Sequence, residues 1–66
     1  MNVGKSIKVA LAQKGMSQVE LSKRMGFTHT WVSALANKKK ASTATIEALA
    51  TQFDMKVSEF IGLGED

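Results

Sequence analysis

The stretch from Gln18 to Asn37 constrains this chain most. Leu21, Ser22, Met25, Gly26, Phe27, Val32 and Leu35 fall at the spacings that pack one short helix across another around a tight turn. Ser17 followed by Glu20 is an S-x-x-E capping box, which opens the first of these helices at Gln18 by satisfying free backbone N–H groups. Leu21 and Met25 share its inner face. Gly26 follows, where a chain often turns through a left-handed conformation that glycine reaches without steric cost. Thr28 caps the second helix, in which Val32, Leu35 and Ala36 form an inward stripe and His29, Thr30, Ser33 and Asn37 face outward with hydrogen-bonding groups. Ser22 is expected to be small because the two helices cross beside it, and Phe27 is expected to plug the space between them.

The rest of the chain continues the helical pattern. Val3, Ile7, Ala10 and Leu11 predict a helix from about Val3 to Lys14, ended by Gly15, with Met16 as an apolar lead-in to Ser17. Ser42 caps a further helix whose Ile46, Leu49, Ala50 and Phe53 share a face and which Asp54 should end. Val57, Phe60, Ile61 and Leu63 propose a short last helix, after which Gly62 and Gly64 loosen residues 62–66 into a tail. The fold class is therefore all-α: a compact bundle of about five short helices, with no strand-like alternation to compete.

At 66 residues the chain makes one domain, 1–66, with a small core and no room for a second, sensing or catalytic unit. It has no cysteine and one histidine, His29, so neither a disulfide nor a zinc site is expected to brace it. No long apolar run is present for a membrane span, and Met1 to Val9 lacks the hydrophobic stretch of a signal peptide; a cytoplasmic location is expected. Charge is divided unevenly. Residues 1–40 carry eight Lys and Arg against Glu20 alone, a net of +7, while residues 41–66 carry Lys56 against five carboxylates, a net of −4. The positive half contains the two crossed helices, which points to a polyanionic partner.

Together these features make a helix-turn-helix at about 17–37. The run Q-V-E-L-S-K-R-M-G-F-T-H-T-W-V-S-A-L-A-N resembles the helix-turn-helix of the phage Cro and CI repressor family, and the resemblance extends from Ile7 to Ile61. It implies a lambda-repressor-like DNA-binding domain, closest in character to a stand-alone Cro-like repressor.

The major groove of B-DNA admits a helix whose N-terminal residues reach the base edges. By that geometry Thr28, His29, Thr30 and Ser33 are the base readers. His29 could donate to guanine N7 or O6, and Thr30 could set its methyl against that of thymine. The plainer alternative for His29 is a solvent-facing helix residue. In the repressors this family resembles, glutamines often stand where His29 and Thr30 stand here, so the family's base preference does not carry over. Gln18 matches a glutamine the family uses to contact phosphate and brace the recognition helix; Ser17 and Gln18 both sit at a helix N-terminus, which favours an anion. Asn37, Lys38, Lys39 and Lys40 follow the recognition helix where the family grips the DNA backbone, although Lys38 replaces the usual glycine. Such lysines give affinity and salt dependence without base discrimination. Trp31 either packs at the edge of the core or contacts phosphate through its indole N–H.

A second departure is paired. The family's frequent Arg in the first helix and its partner Glu near the end of the recognition helix fall on Leu11 and Ala36. Replacing both charges by apolar groups is tolerated where losing one is not, so Leu11 is expected to pack near Ala36, and Ala36→Glu alone to destabilise.

Family members bind pseudo-palindromic sites as dimers with half-sites about one helical turn apart, which implies a homodimer on double-stranded DNA. By resemblance its surface involves Lys56, Val57, Ser58, Glu59 and Phe60; Val57 and Phe60 serve the core equally well. No cofactor, small-molecule ligand or metal is expected. A restriction-modification controller or an antitoxin-type regulator shares this domain, and a protein-interaction module that has lost DNA binding is a more distant alternative. Enzymatic function is not expected, because no acid–base pair, activated nucleophile or phosphate-binding glycine loop can be assembled.

Overall fold

Each helix starts where a side chain can accept a free backbone N–H. In the computed structural model, which describes residues 2–65, Asn2 Oδ1 accepts from Lys5 N–H (3.0 Å), Ser17 Oγ from Glu20 (3.1 Å), Thr28 Oγ1 from Trp31 (3.2 Å) and Ser42 Oγ from Thr45 (3.2 Å). These caps open α1 (Val3–Lys14), α2 (Gln18–Met25), α3 (His29–Ala36) and α4 (Thr43–Gln52); α5 (Val57–Gly62) begins instead with Glu59 Oε1 accepting from Lys56 N–H at 3.3 Å. The all-helical architecture expected from the sequence is what forms. No described helix is long and apolar enough to cross a membrane.

The helix ends are equally regular. Gly15 and Gly26 are left-handed (φ 62° and 74°), and the residues after them, Met16 and Phe27, donate back to Leu11 O (2.9 Å) and Ser22 O (3.0 Å). Asp54 takes the same role after α4 at φ 56°, with Met55 donating to Ala50 O at 2.9 Å. This aspartate ends the helix as expected, by adopting a conformation usually left to glycine.

The predicted inward stripes form the core. Val3, Ile7, Ala10 and Leu11 of α1, Leu21 of α2, Val32, Leu35 and Ala36 of α3, Ile46, Leu49 and Ala50 of α4, and Phe53 and Phe60 make one buried cluster. Leu11 and Ala36 both belong to it, and α1 packs directly on α3. Ser22 is buried at the crossing of the pair and donates its hydroxyl to Val19 O at 2.6 Å.

Several expectations need correction. Phe27 does not plug the helix-turn-helix: it is 50% exposed, because Leu21 and Val32 already fill the crossing, and its ring stacks on Trp31 with centroids 4.2 Å apart. Only the serine half of the Ser17 capping box forms; the Glu20 carboxylate turns to Arg24 one turn later, at 3.1 Å. Phe60 is wholly buried and stacks on Phe53 at 6.0 Å, so it serves the core rather than a dimer surface. Of the segment 62–66, Gly62 closes α5 and Gly64 is buried. A Cβ on Gly64 would come within 2.4 Å of Ser6 Oγ, so this glycine is needed for close packing rather than for looseness. Asp66 lies outside the described residues.

One close approach fixes how α1 meets α3. A Cβ on Gly4 would lie 2.4 Å from Ala36 O and 2.8 Å from Lys38 O, and Val3 and Gly4 donate to Lys39 O (3.0 Å) and Lys38 O (2.7 Å). The start of α1 is thereby tied to the loop that leaves α3.

Candidate nucleic-acid interface

The geometry of α3 follows from the buried stripe on its other side. With Val32, Leu35 and Ala36 turned into the core, His29, Thr30 and Ala34 are exposed and Ser33 is half-buried. Thr28 is exposed at the cap, so its hydroxyl both fixes the helix start and stands at the outer surface. Ala34 was absent from the residues singled out in the sequence. It lies one turn beyond Thr30 on the outward face, where its methyl is a candidate for apolar contact with a thymine methyl.

A hydrogen-bonded chain runs across the base of this face. Ser33 Oγ donates to Gln18 Oε1 at 2.9 Å and lies 3.5 Å from His29 Nε2. Gln18 therefore braces α3 from the start of α2. Ser33 Oγ is thus engaged within the protein, bridging α3 to the start of α2. At the far end, Asn37 Nδ2 donates to Ser33 O at 3.0 Å, folding the amide onto the last turn of α3.

Lys38, Lys39 and Lys40 follow with exposed side chains. Asp54 is the one described non-glycine residue with positive φ, so Lys38 needs no left-handed conformation and the missing glycine costs nothing here. The carbonyls of Lys38 and Lys39 are held by α1, which fixes the loop backbone while leaving the ammonium groups outside. Trp31 is half-buried and paired with Phe27, and the two border a shallow apolar groove with Met25, Ala44, Thr45 and Ala48. It is thus neither in the core nor fully outward.

A half-turn of polar side chains on one helix, a second helix N-terminus braced against it and a basic loop at its end share one surface. The residues that build this surface lie within a stretch, residues 6–66, that matches the family model for the Cro/C1-type helix-turn-helix DNA-binding domain. The chain belongs to that family. No curated protein matches it. As a Cro/C1-type domain it is a DNA-binding regulator.

Of the residues the resemblance assigned to a dimer, Lys56, Ser58 and Glu59 are exposed and Val57 is half-buried, around the start of α5. Glu59 also caps that helix through Lys56 N–H.

Proposed function

We propose that this Cro/C1-type domain is a sequence-specific transcriptional regulator, a Cro-like phage or prophage repressor that binds a pseudo-palindromic operator as a dimer. Thr28, His29 and Thr30 read base edges in the major groove, with Ala34 beside them. Ser17, Gln18, Asn37 and Lys38 to Lys40 hold the backbone, and the exposed residues Lys56, Ser58 and Glu59, with Val57, lie toward the two-fold axis. The observation that carries this reading is the Gln18–Ser33–His29 chain. It locks the recognition helix to a second helix whose free N–H groups favour an anion, so that phosphate binding sets the depth and rotation of the reading face.

Two copies are part of the proposal because one short helix reads too few base pairs for useful specificity. Selection of bound duplexes from a random-sequence library at near-physiological salt tests it. Enrichment of an inverted repeat with half-sites about one helical turn apart supports a dimeric regulator. Enrichment of nothing, with binding that salt alone abolishes, contradicts sequence-specific recognition.

A further inference from the structure

One side chain on the outward face of α3 has its hydrogen-bonding polarity set from within the protein. A serine hydroxyl carries a single hydrogen, and a neutral imidazole has one donor nitrogen and one acceptor nitrogen. Ser33 donates its hydrogen to Gln18 Oε1 at 2.9 Å, so toward His29 Nε2, 3.5 Å away, its Oγ offers only lone pairs. At that distance the contact is weak, yet its sign is fixed. A lone pair on Nε2 is repelled by the oxygen and an Nε2–H is attracted to it, so the neutral ring holds its proton on Nε2. Nδ1 is left as an acceptor. It has no partner among the described residues, and His29 is exposed.

The other end of the chain favours the same direction. With Gln18 Oε1 turned to Ser33, the amide N–H groups of Gln18 are what remains for a neighbour, and they suit a phosphate oxygen, which only accepts. Phosphate binding at the start of α2 therefore holds the amide in the orientation that Ser33 uses. Every hydrogen bond then points one way, from His29 through Ser33 and Gln18 to the DNA backbone, and bonds aligned in this manner strengthen one another.

We propose that His29 reads an exocyclic amine in the major groove, its Nδ1 accepting from adenine N6 or cytosine N4, the base-edge donors exposed there. This role is opposite in sign to donation toward guanine N7 or O6. Ser33 is a positioning residue that acts through His29. The inference rests on the DNA-binding reading above and names the base atom that one of its readers takes.

Library selection at about pH 8.5, where imidazole is neutral, with wild type and His29→Ala locates the base pair whose preference depends on His29. Single atoms of that pair are then deleted in the selected duplex: the amine, by placing purine for adenine or 2-pyrimidinone for cytosine, and N7, by placing the 7-deaza purine. Wild type should bind the amine-deleted duplex about three- to tenfold more weakly, the effect of one hydrogen bond, and the 7-deaza duplex as tightly as the parent. His29→Ala should bind all three alike. Ser33→Ala weakens binding to every duplex by removing the Gln18 brace; its ratio between parent and amine-deleted duplex should also fall toward that of His29→Ala, which loss of the brace alone does not produce. Sensitivity of wild type to loss of N7 and not of the amine would make His29 a donor and overturn the inference. An unchanged selected site for His29→Ala would also overturn it while leaving sequence-specific binding intact, because His29 then reads no base. If wild type enriches no sequence, the DNA-binding reading fails and this inference with it.

Discussion

Gly4→Ala inverts the usual effect of replacing glycine in a helix. Alanine gains up to about 1 kcal/mol over glycine there, from lower backbone entropy in the unfolded chain and better propensity. At Gly4 the new Cβ would sit 2.4 Å from Ala36 O and 2.8 Å from both Ala36 C and Lys38 O, all of them backbone atoms that cannot rotate away. Relieving such overpacking costs about 1–3 kcal/mol. Pushing α1 outward also stretches the bonds from Val3 and Gly4 to Lys39 O and Lys38 O, which adds about 1 kcal/mol. The balance is a loss of about 1–3 kcal/mol, which for a domain of 66 residues lowers Tm by roughly 5–20 °C. Thermal melting by far-UV circular dichroism measures it, with urea midpoints as a second readout. Gly62→Ala is the internal control, since a Cβ there meets nothing within 4 Å and its φ is not in the left-handed range; it should leave Tm unchanged or raise it. A Gly4→Ala variant as stable as wild type would refute the tight crossing of α1 over the end of α3.

Three further changes probe other contacts. The Ser6 hydroxyl is buried with no hydrogen-bond partner among the described residues, so Ser6→Ala should raise stability by about 1 kcal/mol; a lower Tm would mean the hydroxyl is satisfied. Asp54→Gly removes the left-handed strain at φ 56° and should add about 0.5–1 kcal/mol, read as a higher urea midpoint, and a lower one would show that the aspartate side chain stabilises the turn. Ala36 is 3% exposed, so Ala36→Glu should cost about 3 kcal/mol and Leu11→Arg added to it should recover much of the loss. A wild-type Tm for Ala36→Glu alone would mean that the adjoining lysines reach the carboxylate and that Leu11 does not face it.

Local signals were legible in the sequence wherever a single residue decides the backbone. Asn2 apart, the caps at Ser17, Thr28 and Ser42 and the stops at Gly15, Gly26 and Asp54 could be read directly, because each acts within one turn. The apolar stripes of α1, α3 and α4 were equally plain. What escaped was set by contacts distant in sequence. Gly4 and Gly64 are required by neighbours, Ala36 and Lys38 in one case and Asn2 and Ser6 in the other, that no local pattern reveals. Phe27 reads as core by its apolarity, yet its place in the turn leaves it outside a crossing already filled. On the outward face of α3, the polar positions were evident from periodicity, whereas Ala34 carried no polar signal. The commitment of Ser33 to Gln18 spans 15 residues and appears only in three dimensions.

Chemical-shift mapping of isotope-labelled protein, titrated with the library-selected duplex, tests most directly the claim that the outward face of α3 meets DNA. The largest backbone and side-chain changes should fall on Ser17 and Gln18, on Thr28, His29, Thr30 and Ala34, and on Asn37 through Lys40. Changes confined to Lys56 through Glu59, with the α3 face undisturbed, would contradict it.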